Sequence, residues 1–322
     1  MKETVPSTTT HLTEDPETAA AFVKRGEVVA FPTETVYGLG GAYNNPNAIA
    51  SIFAAKSRPA DNPLIVHIAA LHQLDDLVKT IPPGANQLIE AFFPGPLTLI
   101  FQRNSTVPDL VTAGLDTVAI RMPAHRLART FIDACDVPVA APSANRSGRP
   151  SPTSWQDVYT DLKGRIPCIL KGGLSDVGIE STVVDCTSSE PLVLRAGGIT
   201  LEALQEIAPT TSLYKDKMTG PARSPGMKYR HYAPKAAVSL VEEPTYVPAD
   251  QSIAYIGRTP HPFPEQLGLH LHCSDTAAYA YELFRFFRRS DRAGIQQVFC
   301  QTVTREGLGT ALMDRLEKAA AR

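Results

Sequence analysis

The chain has 322 residues, 43% of them hydrophobic and 20% charged, with a formal net charge of −2. This is the composition of a soluble globular protein of about two domains, and it excludes a disordered chain. Near-neutral charge argues against a dedicated nucleic-acid binder and against stable DNA binding, while leaving room for a local basic groove.

Residues 1–14 are polar, lack the apolar core of a signal peptide and are expected to be loose. No apolar run approaches the roughly 18 residues that a membrane span needs, so the expected location is cytoplasmic, with no membrane partner. Asp15-Pro16 supplies a cap and a first-turn proline for a helix that ends near Gly26. Apolar segments at 28–31, 63–68, 97–101, 118–122, 138–140, 168–170, 182–184 and 192–194 read as strands. Helical patterns lie at 46–55, 71–79, 84–93, 125–135, 154–163 and 200–207. Two strand pairs, 97–101 with 118–122 and 182–184 with 192–194, are joined without helices, so 15–208 reads as an α/β domain on a mixed sheet.

Residues 209–236 are rich in Pro, Lys, Arg, Gly and Tyr, have no period, and read as a linker or crossing loop. A smaller α/β domain follows over 237–322, with strands at 237–241, 252–256, 269–272 and 297–301 and helices at 276–289 and 308–320. It has no G-x-G-x-x-G after a strand, so a Rossmann-like outline does not by itself imply a dinucleotide. The five cysteines, Cys135, Cys168, Cys186, Cys273 and Cys300, are odd in number and form no C-x-x-C pair. That argues against a disulfide framework or a structural zinc site.

The densest chemistry is in Lys56-Ser57-Arg58-Pro59-Ala60-Asp61-Asn62-Pro63 and in Ala141 to Pro150, APSANRSGRP. Both join cations, which grip phosphate or carboxylate, to small hydrogen-bonding groups beside rigidifying prolines. Two solvated loops are the plain alternative for either stretch alone. Phe31-Pro32-Thr33-Glu34-Thr35 ends a strand in two hydroxyls and a carboxylate, followed by Gly38, Gly40 and Gly41, which allow tight turns or close backbone approach; a glycine-containing turn after a buried strand is the plain alternative. No G-x-x-x-x-G-K motif exists, so a nucleotide must be held by side chains, for which Arg121 and Arg195 at strand ends are further candidates. His67 interrupts an apolar run and, taken alone, reads as a core histidine. Glu34, Asp116, Glu180 and Asp185 show no metal-ligand spacing, and no Ser/His/Asp or Cys/His order stands out. The inventory suits positioning and charge neutralisation rather than covalent catalysis.

FPTETVYGLG, KSRPADNPLIVHI, FFPGPLTLIF, VAIRMPAH, APSANRSGRPSPT, GIESTVVD and LRAGGIT follow one another in the order of a known family. Over residues 16–207 the chain closely resembles the YrdC-type threonylcarbamoyl-AMP synthases, and SPGMKYRHYAPKA with the domain after it looks like their long, two-domain form. The resemblance implies a YrdC-like open mixed twisted sheet with helices, plus a smaller Rossmann-like α/β C-terminal domain. It implies formation of threonylcarbamoyl-AMP and pyrophosphate from L-threonine, bicarbonate or CO₂, and ATP. Downstream tRNA threonylcarbamoyl-transfer proteins would use the product for the t⁶A modification.

By the same resemblance Thr35, His67, Arg121 and Ser181 would hold threonine, with backbone contacts from Ala141. Arg58, Asn62, Thr117, Ser143, Ser151 and Arg195 would hold ATP. Lys56 and Asn145 would stand with Arg58 and Ser143 at the reacting centre, and the linker would close as a lid through Tyr232. Mg²⁺ is expected on the ATP phosphates, coordinated mainly by them and by water, with no protein metal site. One rival reading is a double-stranded RNA-binding module using the same basic cleft. The other is a hydrogenase-maturation carbamoyltransferase, whose zinc-finger cysteines and acylphosphatase-like module this chain lacks.

Overall fold

The computed structural model describes residues 8–59, 61–214 and 232–321. Its first helix, α1 (Pro16–Lys24), begins where the cap predicts: the Asp15 carboxylate accepts from the backbone N–H groups of Glu17 and Thr18. Asn45 caps α2 (Pro46–Lys56) in the same way, again with proline in the first turn. The other helices of the first domain are α3 (Pro83–Phe92), α4 (Asp109–Thr112), α5 (Arg126–Ala134), α6 (Trp155–Leu162) and α7 (Leu201–Ile207).

Eleven strands among the described residues form one mixed sheet: β1 (His11–Thr13), β2 (Val29–Phe31), β3 (Gly38–Ala42), β4 (Ile65–His67), β5 (Leu97–Gln102), β6 (Thr117–Arg121), β7 (Val139–Ala141), β8 (Cys168–Leu170), β9 (Thr182–Asp185), β10 (Leu192–Arg195) and β11 (Ser212–Leu213). The spatial order is β1-β8-β2-β3-β7-β4-β6-β5-β9-β10-β11. Parallel pairs such as β4 with β6 alternate with antiparallel ones such as β5 with β6. One large apolar cluster includes Ile52, Leu88, Val158 and Leu204 of α2, α3, α6 and α7. A second binds α1 and α5 to the sheet through Ala20, Val23, Phe31 and Phe131.

Four local expectations are corrected. Residues 11–13, inside the segment expected to be loose, form β1, because an edge strand needs only backbone pairing and β8 supplies it. The glycine-containing turn is instead β3, since glycine is the residue that fits between its neighbours: a Cβ on Gly40 would lie 2.4 Å from Val139 Cγ1 and 2.8 Å from Phe31 Cε1. The 71–79 helix shrinks to a 3₁₀ turn over Leu71–Leu74, and Val78 leaves helical geometry to bridge Arg103. The linker's first residues are not patternless in space, because β11 pairs with β10 and extends the large sheet beyond 208. The rest of the expected lid, 215–231, lies outside the described residues.

The second domain carries β12 (Ala237–Val241), β13 (Ile253–Gly257), β14 (Leu269–His272), β15 (Gln297–Gln301), α8 (Thr276–Arg292) and α9 (Leu308–Ala320). Its four strands are all parallel in the order β12-β15-β13-β14. Phe284 and Phe287 of α8 and Leu312 and Leu316 of α9 fill its core, which also takes in Val36 and Ile179 of the first domain. The two domains therefore share apolar packing. All five cysteines are free and buried, as small hydrophobes. No helix among the described residues is long and apolar enough to cross a membrane.

Candidate active site

At the end of α2 the chain turns through Ser57, which sits in the left-handed region at φ 53° and ψ 47°. This turn separates the two cations of the first stretch. Lys56 goes into the protein, where Nζ donates to the backbone carbonyls of Ser143 and Asn145, with Asn145 Oδ1 3.5 Å away. Burial, and next the Arg58 charge, push the Lys56 pKa well below its ordinary value, yet three oxygen acceptors match the three protons of an ammonium. Ser147 N in turn donates to Lys56 O at 3.0 Å. The two stretches are thus one hydrogen-bonded unit, with Lys56 as the tie beneath it.

Arg58 faces the other way, into a cleft, with Nη2 donating to the Asn62 and Pro63 carbonyls at 3.3 and 3.4 Å. Ser143 and Asn145 line the same cleft, their side chains joined by a Ser143 Oγ to Asn145 Oδ1 hydrogen bond of 2.5 Å. Asn145 Nδ2 donates to the Arg146 and Arg149 carbonyls, both at 2.9 Å, which fixes its amide.

Opposite this loop, β4 and β6 run parallel with His67 beside Arg121. Arg121 is only 4% exposed. It makes a 2.6 Å ion pair with Glu34. Burial raises the Glu34 pKa, but Arg121 outweighs it and leaves the carboxyl below its ordinary value. Arg121 Nη1 also donates to Thr35 Oγ1 at 2.7 Å. Thr33 Oγ1 donates to the Val36 carbonyl at 2.6 Å, so the 2.9 Å contact between the two threonines runs from Thr35 to Thr33. The result is a polarised donor chain starting at a guanidinium. His67 Nδ1 lies 3.2 Å from the Ile65 carbonyl, which can only accept. Burial first, and the Arg121 charge second, lower the His67 pKa to about 3, so the ring is neutral.

On the third side Arg195 holds the Ser181 carbonyl through Nε and Nη2, at 3.1 and 2.9 Å, and donates to Ser181 Oγ at 3.1 Å. Ser151 Oγ donates to Glu180 Oε1 at 2.5 Å. Ala141 and Tyr232 complete the wall. Tyr232, the first described residue after 214, stacks on Phe284 of α8 with centroids 5.4 Å apart.

The fold thus brings Thr35, Arg58, His67, Arg121, Ala141, Ser143, Asn145, Ser151, Ser181, Arg195 and Tyr232 to one cleft. Lys56, Asn62 and Thr117 are not on its wall. Lys56 supports it from below, and the buried Asn62 acts on Arg58 through its carbonyl. Thr117 lies four residues along β6 from Arg121, about 13 Å away on the same face, in a neighbouring depression with Ile100 and Asp185. Between the two lies an apolar floor of Ile65, Ile100, Ala119, Val183 and Leu194. Sequence reasoning did not single out Arg149, although its motif contains it, and it lines the cleft while pairing with Asp161 at 2.7 Å.

Known proteins share this sequence and fold. The Sua5/YciO/YrdC family model, described as "Telomere recombination", matches residues 21–197. The Sua5 C-terminal model, described as the C-terminal domain of threonylcarbamoyl-AMP synthase, matches 199–321. The chain belongs to the Sua5/YciO/YrdC family. A threonylcarbamoyl-AMP synthase of Pyrococcus abyssi is 44% identical over 319 residues, spanning 94% of this chain and 93% of that protein. Another, of Bacillus subtilis, is 41% identical over 329 residues, spanning 96% and 94%. The crystal structure of P. abyssi Sua5 complexed with L-threonine superposes with a TM-score of 0.89 at 41% identity, covering 97% of this chain and 98% of that one.

Among the described residues no three His, Cys, Asp or Glu side chains cluster as a metal site. The buried carboxylates of Glu34 and Glu180 are engaged by Arg121 and Arg315. That donor set does not form a protein cage, and it suits a cation that arrives on a ligand's phosphates and keeps its waters.

Proposed function

We infer that the chain is a threonylcarbamoyl-AMP synthase, a nucleotidyltransferase that forms threonylcarbamoyl-AMP and pyrophosphate from L-threonine, bicarbonate or CO₂, and ATP. The observation that carries this reading is the convergence of Arg58, Arg121 and Arg195, distant in sequence, around a cleft whose histidine is neutral. Joining two anions requires fixed cations that offset their repulsion and neutral groups that read the rest of the substrate. Arg121, already oriented by Glu34 and Thr35, would pair with the threonine carboxylate. With its proton on Nδ1, His67 would present Nε2 as an acceptor to the threonine hydroxyl. Arg58 and Ser143 would hold phosphates, and the apolar floor between Arg121 and Thr117 would take adenine.

In the chemical step the threonine nitrogen bonds to the carbon of CO₂ and loses a proton. A carbamate oxygen then attacks the α-phosphorus, the bond to the β-phosphoryl bridging oxygen breaks, and its electron pair leaves with pyrophosphate. The cleft's side chains position and neutralise, with no covalent intermediate. Mg²⁺ bound to ATP would offset phosphate charge. We place the enzyme in the cytoplasm, handing its product to tRNA-modifying proteins.

A double-stranded RNA-binding role is disfavoured, because Arg121 and Arg195 are 4% and 7% exposed and cannot reach a duplex backbone. The decisive test is pyrophosphate release by the purified chain. It should require ATP, threonine and bicarbonate together, and a folded protein that releases none under those conditions would end the synthase reading.

A further inference from the structure

The second domain does more than pack against the first. Arg315, on α9, has no exposed surface. Its Nε donates to Glu180 Oε2 at 3.1 Å, while Glu180 Oε1 accepts from Ser151 at 2.5 Å. Its Nη1 donates at 2.7 Å to the carbonyl of Ala196, the residue after Arg195, and its guanidinium carbon lies 5.4 Å from the Tyr232 ring centroid. One side chain from the second domain thus touches two residues of the cleft wall, Glu180 and Tyr232, and the residue that follows a third, Arg195. Arg288 of α8 donates to the carbonyl of Pro150, immediately before Ser151, so that serine is braced from both helices. The fit is close: Gly178, at φ +82°, faces the α8 backbone, and a Cβ there would lie 2.4 Å from Tyr281 Cα.

Electrostatics explains why an arginine is needed. Burial raises the Glu180 pKa, and the Arg315 charge, ahead of Arg195 and the Ser151 hydrogen bond, brings it below the ordinary carboxylate value. An ionised Glu180 can only accept, so the Ser151 proton is committed to it and the serine lone pairs are turned in a fixed direction.

We propose that Arg315 is a positioning residue of the active site, acting through Glu180 on Ser151 and through Ala196 on Arg195, so that the second domain completes the ATP side of the cleft. This rests on reading the cleft as an ATP site. The test uses the full chain, with KM for ATP and for threonine measured separately and ATP affinity measured by calorimetry without threonine. Arg315→Ala should weaken ATP by roughly tenfold, the scale of a lost charged hydrogen bond, with KM for threonine within about twofold. Arg315→Lys, which keeps the charge but not the fork, should recover part of the loss.

Arg292→Ala serves as the control, since it removes an interdomain ion pair with Asp157 remote from the wall and should leave both constants unchanged. The proposal is overturned if Arg315→Ala leaves ATP binding intact, if Arg292→Ala weakens ATP equally, or if both Arg315 variants weaken ATP and threonine in step. Should Arg315→Ala not fold, Glu180→Gln carries the same readings. A wild-type chain that releases no pyrophosphate would instead defeat the functional reading, while calorimetry would still report on Arg315.

Discussion

Both sheets present strand ends where ligands commonly bind in α/β folds, and the two ends are finished differently. In the four-stranded sheet the end is closed by a single amide. Gln301 Oε1 accepts from the N–H groups of Arg258 and Thr259 at 2.7 and 2.8 Å, and the Tyr255 hydroxyl beside it donates to the Thr259 carbonyl at 2.8 Å. Its Nε2 donates to the Glu242 carbonyl and Thr259 Oγ1 at 3.1 and 3.0 Å. In the eleven-stranded sheet the corresponding region gathers Arg58, Arg121 and Arg195 on one cleft, and among the described residues both side-chain amide atoms of the buried Asn62 lack a hydrogen-bond partner. Strand-end topology is common to both sheets. Converging cations and unspent hydrogen-bonding capacity are what distinguish the site.

The strongest way to break the contrast is to remove the tie beneath the cleft. Lys56→Met leaves the Ser143 and Asn145 carbonyl oxygens without their ammonium donor and should cost about 3–5 kcal/mol of stability, seen as a lower denaturant midpoint. An unchanged midpoint would mean that Lys56 does not support the loop. Next in size is Arg58→Ala, which should lower kcat/KM for ATP by roughly 10²–10³-fold with the circular dichroism spectrum unaltered. Undiminished turnover would remove Arg58 from the chemistry.

How much of this was legible in the sequence follows from the range of each interaction. The cap at Asp15, the helical pattern at 46–55 and the apolar runs of β5, β8 and β15 are local patterns, and these elements formed where expected. β1 and β3 were not legible, because one depends on a partner strand about 155 residues away and the other on the space around glycine. In the cleft, cations beside prolines flagged Arg58, Ser143 and Asn145, and family motifs flagged most of the remainder. Position within a motif does not say which way a side chain points, so it did not show that Lys56 lies beneath the cleft, that Asn62 meets Arg58 through its carbonyl, or that Thr117 lies in a neighbouring depression. Arg315 carried no signal at all: in LGTALMDRLEKAA it is one polar residue of an amphipathic helix, and only the docked domain reveals its partners.

The small sheet offers a sharper version of the same comparison. If its strand end is closed for structural reasons alone, Gln301→Ala should cost about 2 kcal/mol in unfolding free energy while leaving kcat within about twofold. A large loss of activity at unchanged stability would show that this end also serves the reaction.

The smallest effect, and the most specific, concerns the neutral histidine. His67 has a folded-state pKa of about 3 against an ordinary 6.5, mainly through burial and then through Arg121. Between those values the unfolded chain binds a proton that the native protein refuses. Stability is therefore fully present above about pH 6.5 and declines as pH falls, by up to about 1.4 kcal/mol per pH unit for this group. His125, whose pKa burial also lowers, adds slope in the same window. The informative quantity is thus the difference between wild type and His67→Gln in denaturant unfolding at pH 7, 6 and 5. The variant should lose about one proton's worth of slope, and parallel curves would show that His67 is protonated in the folded protein. A charged imidazolium would have no lone pair for the threonine hydroxyl and would add a cation beside Arg121, so that outcome would also reassign the group that reads the substrate's side chain.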